Sequence, residues 1–83
     1  MGTLLTKFGF KFFVYKNDHE PKHVHVMIGD DEFAKIEIRS IKVIYSYLKA
    51  NDLKRAKKII KENQNLLERA WDAFFSQRED SKD

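Results

Sequence analysis

Residues 23–39 read "HVHVMIGDDEFAKIEIR". Two alternating runs flank a turn. Successive side chains on a strand point to opposite faces, so Val24, Val26 and Ile28 share one face while His23, His25 and Met27 share the other. The run 32–39 alternates likewise, with Ala34, Ile36 and Ile38 opposing Lys35, Glu37 and Arg39. "GDD" at 29–31 supplies turn residues between the two runs. The stretch predicts an antiparallel hairpin with one apolar and one polar face. Burying the apolar face fixes the register, because a slip of one residue would turn every side chain over.

Upstream, "FGFKFFVYK" at 8–16 is aromatic and β-branched and predicts another strand, in which Phe10, Phe12 and Val14 oppose Lys11, Phe13 and Tyr15. Residues 1–7 read as a lead-in. "NDHEPK" at 17–22 is a loop, with Pro21 restricting Glu20 to extended backbone. Downstream, "IKVIYSYL" at 41–48 fits both helical spacing and strand alternation, and its β-branched content favours a fourth strand. Asn51 is a good helix N-cap before "DLKRAKKII". Leu53, Ala56, Ile60, Leu67, Ala70, Trp71 and Phe74 then form one apolar stripe. The polar run "KENQN" at 61–65 interrupts it and predicts a kink or break. The expected fold is α+β: an antiparallel meander of three to four strands, then one kinked or two C-terminal helices packed on one sheet face. Residues 1–83 make one domain, folded over about 8–76, with a polar tail at 77–83.

Composition narrows the function classes. The chain has 83 residues, enough for one modest core. It has no cysteine, which excludes disulfide frameworks and thiolate zinc sites and fits a reducing cytoplasm. A net charge of +3 permits nucleic acid as a partner. No stretch is apolar enough to span a membrane. There is no phosphate-binding glycine loop or nucleophile elbow.

All three histidines fall within residues 19–25. If the apolar sets align under the helices, the other face carries Lys11, Phe13, Tyr15, His23, His25, Met27, Lys35, Glu37 and Arg39. Three readings of that face follow. A divalent metal such as zinc could be held by His23 and His25, with His19, Asp18 or Glu37 as third ligand; the set His19, His23 and His25 is the metal alternative. Metal-free cleavage of RNA could use His23 and His25 as acid and base, with Glu37 as base or orienter and Arg39 or Lys35 on the phosphate. Tyr15 could stack a base, and Lys54 and Lys58 could contact phosphates from the helix. Third, the histidines could be structural and Phe13, Tyr15 and Met27 could pack on a partner chain or a second copy.

The strings "FKFFVYKNDHEPKHVHV" (10–26) and "ENQNLLERAW" (62–71) resemble domain of unknown function family 4160, a small bacterial family, over about residues 8 to 75. The family's motif falls on Asp18, His19, Pro21, His23 and His25, and later on Trp71. Many relatives have a second proline where this chain has Lys22, and a proline at the helix start where it reads "KANDL". No established activity comes with the family. The resemblance implies a single-domain protein encoded beside a second small protein in a toxin–antitoxin-like pair, so a cognate small protein is an expected partner. The leading expectation is a toxin-like module acting on RNA through His23, His25, Glu37 and Arg39, with His19, Tyr15, Lys35, Lys54 and Lys58 binding.

Overall fold

The structure, a computed structural model, describes the backbone of residues 2–82 and the side chains of residues 2–76. The elements run β1 (Thr3–Lys7), β2 (Phe10–Phe13), β3 (His23–Ile28), β4 (Asp31–Glu37), β5 (Val43–Ser46), α1 (Ala50–Glu62) and α2 (Gln64–Lys82). The strands form one antiparallel meander in the order β1-β2-β3-β4-β5. This is the expected α+β fold with one more strand, because the lead-in is itself a strand. Phe8 and Gly9 turn the chain back, both at positive φ (52° and 83°), and Lys7 pairs with Phe10 across them. Two positive-φ residues make a hairpin turn whose twist matches the sheet. A phenylalanine in that place hides the turn from sequence reading.

The apolar alternation buries the residues it predicts except Ile28, which is exposed at the end of β3. Phe12 pairs with Val26, Val26 with Ala34, and Val24 with Ile36. These residues are buried with Phe10, Val14 and Ile38 from the sheet and Ala56, Ile59, Ile60, Leu67 and Trp71 from the helices. Regular pairing fails in three places. Leu4 is extra between Thr3 and Leu5 on β1, Phe33 between Ala34 and Glu32 on β4, and Ile44 between Tyr45 and Val43 on β5. Each extra residue reverses the parity of the strand beyond it.

The helix boundary differs slightly from expectation. Helix α1 begins at Ala50 behind Lys49, which is extended (ψ 156°) and offers no side-chain cap, so Asn51 lies within the first turn. The break in "KENQN" is at Asn63, whose φ of −126° leaves the helical range. Its side chain donates to the Ile59 carbonyl at 2.8 Å, and its own carbonyl accepts from the Leu67 amide at 2.9 Å. One residue thus closes α1 and opens α2. Gln64 then donates to the carbonyls of Ile38 and Arg39, both at 3.0 Å, pinning α2 to the end of β4. The polar tail expected at 77–83 lies outside the residues whose side chains are described. Among the described residues no helix is long and apolar enough to cross a membrane.

Candidate metal centre

The loop after β2 folds onto itself before β3 begins. The Asp18 carboxylate accepts from the Tyr15 amide at 2.8 Å, and the Asp18 amide donates to the Tyr15 carbonyl at 3.0 Å. This reciprocal turn aims Asp18 at the first residues of β3. The sequence supplies it through an aspartate three residues after Tyr15. The peptide before Pro21 is cis.

His23 and His25 lie two apart on β3, so their rings sit side by side, with centroids 5.3 Å apart. Both are buried, at 5% and 6% exposure. Each ring is held from behind at Nδ1. His23 Nδ1 donates to the Pro21 carbonyl at 2.8 Å, and His25 Nδ1 donates to Glu32 Oε2 at 2.9 Å. A carbonyl and a carboxylate only accept, so Nδ1 carries the hydrogen in both rings. Each ring then turns Nε2 outward, away from its support. Those atoms meet Asp18: His23 Nε2 is 3.4 Å from Oδ1, and His25 Nε2 is 3.1 Å from Oδ2. One ligand atom from each residue fits within a span of 4.8 Å. His23 Nε2 is buried and has no hydrogen-bond partner.

Glu32 is held in turn. Its carboxylate accepts from the Tyr15 hydroxyl at 3.1 Å and, at short range, from the Tyr45 hydroxyl. By simple alternation Glu32 would join Ala34 and Ile36 on the core side, and Tyr45 would join Val43. The extra residues Phe33 and Ile44 turn both onto the histidine side, where Glu32 pairs with Met27 and Tyr45 with Lys35. Tyr15 also packs edge-on against His25, centroids 4.6 Å apart, and Trp71 of α2 lies 5.3 Å from the His23 ring. Burial, the Glu32 hydrogen bond and the charges of Glu32 and Asp18 all push the Tyr15 hydroxyl above its usual range. Burial also pushes the Asp18 carboxyl up, but the Tyr15 amide and the charges of His25 and His23 together pull harder and hold it below the usual aspartate range.

The other expected residues are distributed as follows. Glu37 pairs with His23 and Lys35 with His25 across β3 and β4, on the same face. The Glu37 carboxylate accepts from the Ser40 hydroxyl at 2.7 Å. Arg39 lies beyond the strand end and pairs with Glu68 of α2 at 2.7 Å. His19 is exposed in the loop and stands outside the Asp18–His23–His25 cluster. It lines, with Asp18, His23, Lys35 and Ile44, an open groove of about 340 Å³. Lys54 and Lys58 lie elsewhere, on α1 facing Phe8. Sequence reading misses Glu32 and Tyr45, because a one-residue register shift leaves no mark in the residues themselves.

Chemically, the cluster brings two imidazole nitrogens and a carboxylate together, with each ring oriented through its Nδ1. A profile of the family described as Domain of unknown function (DUF4160) matches residues 9–72, which takes in the loop, the sheet from Gly9 onward and most of the helical layer. Comparison with curated proteins and with solved structures finds no significant match. The sequence therefore belongs to the DUF4160 family, a domain of unknown function.

Proposed function

We propose that this protein binds a divalent transition metal through Asp18, His23 and His25. One observation carries the reading: two imidazole nitrogens and a carboxylate converge at a buried point, both rings held from behind at Nδ1. Only a cation or a proton satisfies such a set. The spacing favours the cation. A tetrahedral ion with bonds of about 2.0–2.1 Å keeps its donors about 3.3–3.4 Å apart. Asp18 Oδ1 lies 3.4 Å from His23 Nε2 and 3.3 Å from His25 Nε2, two distances of that size, in a set whose atoms all lie within 4.8 Å of one another. Charge-assisted hydrogen bonds are shorter, about 2.7–2.9 Å.

Two imidazoles and a carboxylate suit zinc and other first-row divalent ions. The acceptors behind the rings are the supports that orient ligating histidines. Three protein ligands leave a further position for water, as in catalytic rather than structural zinc sites. Asp18 and His23 also line the groove that holds Lys35 and Ile44. A divalent ion held by Asp18, His23 and His25 would supply Lewis acidity to a bound water, which would place metal-assisted hydrolysis within reach. The test is metal content by mass spectrometry, followed by chelation and zinc readdition with the melting temperature as readout. About one metal per chain and a zinc-dependent rise are expected, lost in Asp18→Asn and His23→Ala and kept in His19→Ala. Wild type that carries no metal and does not respond to zinc, nickel or ferrous iron refutes the proposal.

A second reading is the toxin-like action on RNA through His23, His25, Glu37 and Arg39. The pairing of Glu37 with His23 and Lys35 with His25 supports it, since acid, base and cation then share a face. The tie of Arg39 to Glu68 counts against that residue's part. Induced expression, with growth followed and total RNA run on a gel, tests it against the His23→Ala/His25→Ala variant. Harmless expression with intact RNA removes this reading and leaves the metal proposal standing.

A further inference from the structure

We propose that the groove between the β1–β2 hairpin tip and α1 binds single-stranded nucleic acid, with a base stacked on Phe8 and phosphates on Lys54, Arg55 and Lys58. The site shares no residue with the Asp18–His23–His25 cluster, so the two stand or fall separately.

The first observation is Phe8 itself. It occupies the first place of a two-residue hairpin turn at φ 52°, where asparagine, aspartate or glycine is preferred. A bulky side chain there is a genuine outlier. The ring gains little packing in return, being 74% exposed. An aromatic held in water by strained backbone is a feature that folding alone does not account for.

The second observation is what the ring faces. Phe8 lines an open groove of about 730 Å³ with Asn51, Lys54, Arg55, Lys58, Ile59 and Glu62. Lys54 and Lys58 are four apart on α1 and so lie on one side of the helix, where like charges repel. Among the described residues, neither they nor Arg55 form an ion pair. Glu62 is the single acid in the lining, which leaves an excess of two positive charges.

The groove therefore offers a flat apolar face beside unneutralised cations. A single strand presents both complements, an exposed base face and regularly spaced phosphates. A duplex buries its base faces in the stack, and an acidic peptide supplies charge without the stacking partner.

The test is fluorescence anisotropy of the full-length protein with labelled oligo-rU, oligo-dT and a duplex, each about 10 nucleotides long. Binding to either single strand, weakening as salt rises and weaker still to the duplex, supports the proposal; the tighter single-strand arm names the natural ligand. Replacing Lys54 and Lys58 by glutamine is expected to lower the slope of log affinity against log salt by about 1–2. Phe8→Asn suits the turn better, so it is expected to raise the melting temperature while weakening binding about tenfold or more. The proposal is overturned if neither single strand binds at low salt, if the duplex binds as tightly, or if Phe8→Asn binds like wild type.

Discussion

Glu32→Gln touches none of the three proposed ligands yet is expected to weaken zinc binding about 10- to 100-fold. The Glu32 carboxylate sits 2.9 Å behind His25 Nδ1. Adding the width of the ring and a metal–nitrogen bond of about 2 Å puts its charge about 6–7 Å from the ion. At an effective dielectric of about 20, a unit negative charge at that distance favours a divalent ion by about 5 kcal/mol. The side chain is 21% exposed and two tyrosine hydroxyls share its charge, so screening takes away much of this. A net effect of about 1.4–2.7 kcal/mol remains, which is the roughly 10- to 100-fold usual for groups that orient a metal ligand. Glutamine still offers an oxygen to His25 Nδ1, and the tyrosine hydroxyls can rotate to accept from its amide, so the fold is expected to survive. Zinc affinity would be read by competition with a chromophoric chelator, with circular dichroism as the check on folding. A folded Glu32→Gln protein that holds zinc as tightly as wild type would refute the coupling from carboxylate through imidazole to ion.

Three further outcomes are expected. Asp18 has its carboxyl lowered in the fold, so its contribution to stability is present above about pH 4 and is lost as pH falls through the lower folded value. The urea midpoint of metal-free protein should accordingly hold steady near neutrality and drop in acid, with a flatter drop in Asp18→Asn. Phe12→Ala removes a ring with no solvent exposure at the centre of the sheet, and its urea midpoint should report a loss of about 3–5 kcal/mol. Gln64→Ala removes two hydrogen bonds to the end of β4 and should cost about 1–3 kcal/mol, with faster amide exchange at the break between the helices.

The fold is legible in the sequence because its strands obey period two and its helices carry one apolar stripe. Alternation alone marks Val24, Val26, Ala34, Ile36 and Ile38 as core, and all are fully buried. The break near Asn63 is legible in the polar run that interrupts the stripe. The first strand is not, since "TLLTK" has no clear alternation and Phe8 is a poor signal for a turn. The site is half legible. Parity aligns His23 with His25, and the loop composition brings Asp18 near them. The same parity puts Glu32 on the core side, and only the extra residue at Phe33 carries it across the sheet. Arg39 joins the histidine face only if the alternation runs on past Glu37, where β4 in fact ends.

That extra residue bears on how such a site is gained and lost. Substitutions at Phe33 leave the strand's phase unchanged, so Glu32 and the tyrosines around it keep their side. Regular pairing of Phe33 with Met27 would swing Glu32 into the apolar layer and disarm His25 with every residue of the cluster still in the sequence, whereas deleting Phe33 would leave Glu32 beside Ala34 and still opposite Met27. An inventory of the right side chains is therefore a weaker sign of such a site here than the register in which β4 pairs with β3 at Phe33.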